Sequence, residues 1–175
     1  MSGGLLHMSG KKSIINGVSL VCGIVGCVFA LVCLMLSGSP IDMIHKLNNI
    51  GVLPPVWIFD LLILLWYFLT GAALGGVIKS IFAGGNCGSG TVSAYKGIAF
   101  FLITFFMGLI WYPVFFVSQA IFISLLVSII SSVAAILCAY SWLGSGENAE
   151  GVIIAAYSIW TVYVFIINLS VCFGI

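Results

Sequence analysis

The 175-residue chain alternates long apolar runs with short polar breaks, and the apolar runs are the length of membrane crossings. A hydrocarbon core of about 30 Å takes about 20 helical residues to cross. Uncharged or nearly uncharged runs of that size occur at residues 17–36, 57–78, 98–117, 119–143 and 152–173. The stretch from Ile98 to Leu143 carries no formal charge and is too long for one crossing, so it is divided in two, with Pro113 and the polar pair Ser118-Gln119 placing the turn. The runs are continuously apolar rather than alternating, which selects helices over barrel strands. The pattern therefore predicts an all-α integral membrane protein, a bundle of five transmembrane helices. Residues 1–16 form an N-terminal tail and residues 17–175 a single membrane domain. Lys11 and Lys12 precede a first run too long for a signal-peptide core and without a clear cleavage site, which reads as a retained helix.

Composition agrees. Hydrophobic residues make up 63% of the chain and charged residues 5%, mean hydropathy is +1.34, and arginine is absent. A soluble domain of this size needs far more charge to cover its surface. A formal net charge of +1 offers no basic face, so nucleic acid is excluded as a partner. Lys11, Lys12, Lys79 and Lys96 fall on one side of a five-helix arrangement and Lys46 on the other, which places the N-terminus in the cytoplasm without saying which membrane holds the protein. Five of the six cysteines lie within the predicted spans and read as small packed hydrophobes; no CxxC pair occurs, and no metal site is expected.

The first inter-helix segment, Ser37 to Leu53, is long enough to fold over the mouth of a bundle. The second, Lys79 to Lys96, is rich in Gly, Ser and Asn and reads as flexible. Pro55 suits the first turn of the second helix. Asp60 is the only formal charge inside a predicted span. Its shallow depth fits a carboxylate favoured by the helix dipole; the functional alternative is a proton or cation site. Gly71 and Gly75 make a GxxxG, and Gly23, Gly26 and Cys27 a small-residue face on the first helix, both suited to close helix contact within the chain. All five tryptophans, Trp57, Trp66, Trp111, Trp142 and Trp160, lie in or at the ends of spans. Half of them are accounted for as interface anchors, and the rest are candidates to line a pocket for a flat apolar ligand. No HExxH, GxSxG or CxxC occurs, and polar residues are too few to assemble an acid–base pair, so no catalytic residue is assigned.

Three segments carry a resemblance. Pro54-Pro55-Val56-Trp57-Ile58-Phe59 with Tyr67 and Gly71 is similar to the second-helix PPxWxF…LYxxxG signature of the translocator protein family, also called tryptophan-rich sensory proteins (TspO/MBR). Ile110-Trp111-Tyr112-Pro113-Val114-Phe115-Phe116 resembles its third-helix LWxPxFF. Tyr157-Ser158-Ile159-Trp160-Thr161-Val162-Tyr163 with Asn168 resembles its fifth-helix YxxWxxF…N. The resemblance implies a membrane protein that binds porphyrin-, sterol- or drug-like aromatic ligands in a pocket among the helices, for sensing, sequestration or transport. It implies no required cofactor, although a porphyrin or haem-like ligand fits the class. Carried over residue by residue, Trp57, Trp111, Trp160 and Asn168 line or brace the pocket, and Pro54 and Pro55 shape its lip. The family also admits a homodimer. Departures stand at Ile63, where the family has a second Trp; at Gly108, where it has Asn; at Ala156, where it has Pro; and at Ser124, where an acidic residue is common. Some members degrade protoporphyrin in light; with Ile63 in place of one indole, binding is expected here with reduced or absent turnover. The competing reading is a small secondary transporter using Asp60.

Overall fold

A computed structural model describes residues 17–37, 55–83 and 89–173. They form five long helices, α1 (Gly17–Ser37), α2 (Val56–Phe82), α3 (Ser89–Phe116), α4 (Ile121–Gly144) and α5 (Asn148–Phe173). Each holds a window apolar enough to span a bilayer. Large apolar side chains that would be costly in water, among them Val21, Ile24, Val28, Phe122 and Ile136, stand on the outer surface, where lipid rather than water is the solvent. The N-terminal tail and the first inter-helix segment, with Pro54, His45 and Lys46, lie outside the described residues.

At their charged ends the helices run further than their uncharged cores. α2 continues through Lys79 to Phe82, and α3 begins at Ser89 and contains Lys96, so most of the segment expected to be a flexible loop is helical. A lysine near a helix end can lay its methylenes along apolar surface and reach the headgroup region, so it does not end a span. Likewise α5 begins at Asn148 rather than Val152. Glu150 sits in its first turn, where the helix dipole favours a carboxylate. The preceding turn needs Gly146 at φ 88°, a left-handed conformation that glycine adopts freely.

Pro113 lies inside α3, as it does in the 98–117 run of the sequence, and the turn falls at Ser118-Gln119. A proline within a membrane helix is tolerated where neighbouring groups take up the freed backbone. The chain reverses at residues 117–120. There the Val117 and Ser118 amides both bond the Pro113 carbonyl at 3.0 Å, and Gln119 takes φ 50°. Pro55 stands just before α2 rather than in its first turn, its carbonyl accepting from Ile58 and Phe59 at 2.8 and 3.2 Å.

The helices close a ring in the order α1, α2, α5, α4, α3. Contacts are dense between α1 and α2, α3 and α4, and α4 and α5, and thinner at the α2–α5 and α1–α3 seams. The α1–α2 pair is close because both partners present glycine. A Cβ on Gly71 would lie 2.5 Å from the Cys22 carbonyl oxygen, one on Gly26 2.6 Å from that of Tyr67, and one on Gly75 2.6 Å from the Ser19 Cα. The GxxxG of α2 is thus consumed within the chain.

Two buried clusters fill the ring. One, at the α3–α4 turn end, holds Phe59, Ile63, Tyr67, Trp111, Tyr112, Phe115 and Phe116. The other, at the α2–α3 end, is built on Trp142, Phe101, Val77 and Ile154. In it Trp142 stacks on Phe101 at 5.8 Å, lying against the bare backbone of Gly97.

Candidate functional site

Between the α1–α2 pair and the other three helices lies a cavity, open on one side, with about 40 Å³ of interior space. All five helices line it. It occupies the half of the bundle nearest the α1–α2 connection, bounded by Ala30 and Cys33 of α1 and Ile63 and Tyr67 of α2. Helical spacing explains the lining. Tyr157, Trp160, Thr161 and Val164 recur at i, i+3, i+4 and i+7 on α5, Gly108, Trp111 and Tyr112 share a face of α3, and Ser128 and Ser131 share a face of α4.

The wall toward the α3–α4 turn is aromatic. Trp111 is buried and stacks on Phe115 at 5.0 Å with a 17° interplanar angle. Phe59 sits behind it, 6.2 Å from Trp111, 6.3 Å from Phe116 and 5.2 Å from Trp160, tying α2, α3 and α5 together. The Trp111 indole Nε1 is buried and has no hydrogen-bond partner among the described residues.

One turn deeper the lining becomes hydroxylic. A Cβ on Gly108 would lie 2.5 Å from the Tyr67 hydroxyl and 3.3 Å from that of Tyr157, so the two phenols converge on the backbone of α3. Tyr67 donates to the Phe105 carbonyl at 3.3 Å. Tyr157 lies beside the side chains of Thr104 and Ser131, whose hydroxyls are 3.0 Å apart. Ser128 donates to the Leu125 carbonyl and Thr161 to that of Ser158, both at 2.8 Å. Among the described residues no Lys, His, Asp or Glu lines it.

The sequence-expected residues distribute unevenly over this geometry. Trp111 and Trp160 line the cavity. Asn168 does not. It is fully buried beyond the cavity, where its side-chain oxygen accepts from the Ser124 hydroxyl at 2.7 Å and its amide nitrogen donates to the Val164 carbonyl at 2.8 Å. It braces α5 against α4. Trp57 is 69% exposed and absent from the lining, because it shares no helix face with Ile63 and Tyr67. Its exposed place at the start of α2 suits an interface anchor. Pro55 is exposed, and Pro54 lies outside the described residues.

Asp60 does not line the cavity either, but its Oδ1 accepts from the Tyr112 hydroxyl at 3.1 Å, linking α2 to α3 through a residue that does. Ile63 lines the cavity where an indole was the family expectation, and Trp66 lies behind it, 5.8 Å from Tyr157. Tyr67, Tyr157, Ser128, Ser131 and Cys33 were not assigned as site residues from sequence. The available signal was the i, i+4 run Phe59, Ile63, Tyr67, which fixes the inward face of α2.

A family model, the TspO/MBR family, matches residues 18–173. The chain belongs to the TspO/MBR family. It is an integral, multi-pass membrane protein, and TspO/MBR membership supports a membrane ligand-binding or sensory role in general. Searches of the curated proteins and of the solved structures each found no match. The matched span takes in all five helices, so the cavity between them is part of the TspO/MBR fold region rather than an appended feature.

Proposed function

We propose that this protein binds a flat, hydrophobic ligand of the porphyrin, sterol or aromatic drug type in the cavity between its helices, for sensing, sequestration or transport. The observation that carries the reading is an aromatic-walled cavity lined by all five helices, with no charged side chain among the described lining residues. Such a lining offers stacking area and a few neutral polar groups, the usual make-up of a site for an apolar small molecule. Trp111 and Trp160 supply the stacking faces. Tyr112, held by Asp60, positions the wall between them. A porphyrin would keep its carboxylates at the mouth, since no described lining residue neutralises them.

Binding rather than turnover is the activity proposed. Trp160 is present, but Ile63 replaces a second facing indole. Titrating the detergent-purified protein with protoporphyrin and following tryptophan fluorescence should give saturable quenching that Trp160→Phe weakens at least severalfold. Under illumination the Soret band should decay no faster than in the Trp160→Phe variant. Absence of saturable quenching would sink the binding reading, and rapid Trp160-dependent bleaching would overturn the exclusion of turnover.

The secondary-transporter reading finds less support, because Asp60 stands outside the cavity lining and is engaged by Tyr112. Proton-coupled uptake into liposomes that Asp60→Asn abolishes would restore it.

A further inference from the structure

The deep end of the cavity differs in chemistry from its walls. The two lining tryptophans lie toward the α3–α4 turn, whereas hydroxyl oxygens gather one helical turn inward around Gly108. Hydroxyls within a membrane bundle are costly unless partnered, and here they are partnered by one another and by helix carbonyls. Each of those bonds leaves hydroxyl lone pairs unused. The Tyr67 bond to Phe105 at 3.3 Å is long for O–H···O, so this hydroxyl is the one most readily redirected. Gly108 makes the arrangement possible, since any side chain there would occupy the space of the Tyr67 oxygen.

We propose that the Tyr67 and Tyr157 hydroxyls, converging beside Gly108, form a polar floor that anchors a neutral hydrogen-bonding group at the buried end of the ligand, with Gly108 as the residue that sets this specificity. The proposal rests on the reading of the cavity as a ligand site. An alcohol or amide can donate to the unused lone pairs and accept from the redirected Tyr67 hydroxyl. At the floor a carboxylate meets acceptor oxygens with no cation among the described lining residues and bears its full desolvation cost. A bare hydrocarbon leaves the floor unused. The preferred ligand is therefore a rigid apolar body ending in one uncharged polar group.

Three probes of one shape test this: fluorene, 9-fluorenol and fluorene-9-carboxylate, titrated against the full-length protein in detergent at pH 7. The alcohol is expected to bind about two- to tenfold tighter than the hydrocarbon, the worth of one added hydrogen bond, and the carboxylate more weakly than either. Tyr67→Phe, which removes one oxygen and little volume, should abolish the advantage of the alcohol over fluorene. Gly108→Ala should lower the melting temperature in the native background but not alongside Tyr67→Phe, because the second change clears the space the methyl needs. Equal loss of both neutral probes in Tyr67→Phe, an unchanged preference, or carboxylate binding as tight as alcohol binding would each overturn the floor while leaving the ligand site intact. If none of the three bound in saturable fashion, the ligand-site reading would fail and the floor with it.

Discussion

Asp60 and Tyr112 show how a single contact positions the site. The carboxylate lies on α2 and the phenol on α3, at a seam where those helices touch little, so their 3.1 Å hydrogen bond is a main tie between them near the cavity. Tyr112→Phe keeps the ring against Phe116 at 4.7 Å and removes only the donor. It should cost roughly 1 kcal/mol in reversible unfolding by SDS titration and weaken ligand binding by shifting the wall. Ser124 and Asn168 make the comparable tie between α4 and α5, outside the cavity. Ser124→Ala should also cost about 1 kcal/mol, because the Asn168 oxygen loses its donor in a buried setting, yet leave probe affinity unchanged. Equal effects of both variants on affinity would contradict the distinction between a wall residue and a brace. At this scale the sequence was partly legible. Trp111 and Trp160 stood out by motif and do line the cavity, whereas Trp57 stood out equally and does not. Trp57 and Phe59 are two residues apart and so point to opposite sides of α2, and only the i, i+4 series through Ile63 and Tyr67 says which side is inward.

At the level of elements, the α1–α2 pair depends on backbone approach rather than on large side chains. Gly71 and Gly75 of α2 meet Ser19, Cys22 and Gly23 of α1 at distances that leave no space for a Cβ. Replacing Gly71 with Val should separate the two helices, widen the cavity they help to enclose and lower the melting temperature by several degrees. Gly17→Ala, where nothing lies within 4 Å, should be neutral and serves as the control. Equal melting temperatures for the two variants would contradict the close approach. The existence of each helix was readable from run length, because a bilayer sets a minimum that few other constraints imitate. Helix ends were not. Lys79, Lys96 and Glu150 interrupt the apolar pattern but not the helix, since a charged side chain near a helix end can reach toward the headgroup region while its backbone stays helical. Pro113, a residue that ends most helices in water, sits inside one here, within the run that the apolar pattern marks out.

For the whole molecule, the arrangement of two tightly packed units around thinner seams is what creates the site. α1 and α2 form one unit and α3, α4 and α5 the other, and the cavity is the space between them. Small shifts of one unit against the other would change its volume without breaking either unit, which suits a protein whose ligand passes in from the bilayer or from the side of the α1–α2 connection. The outer face, apolar all round, stays against lipid. These two surfaces, an inner aromatic one and an outer aliphatic one, make opposite predictions for where a hydrophobic molecule ends up. Photoaffinity labelling separates them: a diazirine-bearing aromatic probe, crosslinked to the protein in detergent with and without excess protoporphyrin, followed by mapping of the labelled residues. The account predicts competed label on cavity residues such as Ile63, Leu109, Trp111 and Val164. Label confined to outward positions such as Val21, Ile24, Val28 and Ile136, and indifferent to competitor, would contradict it.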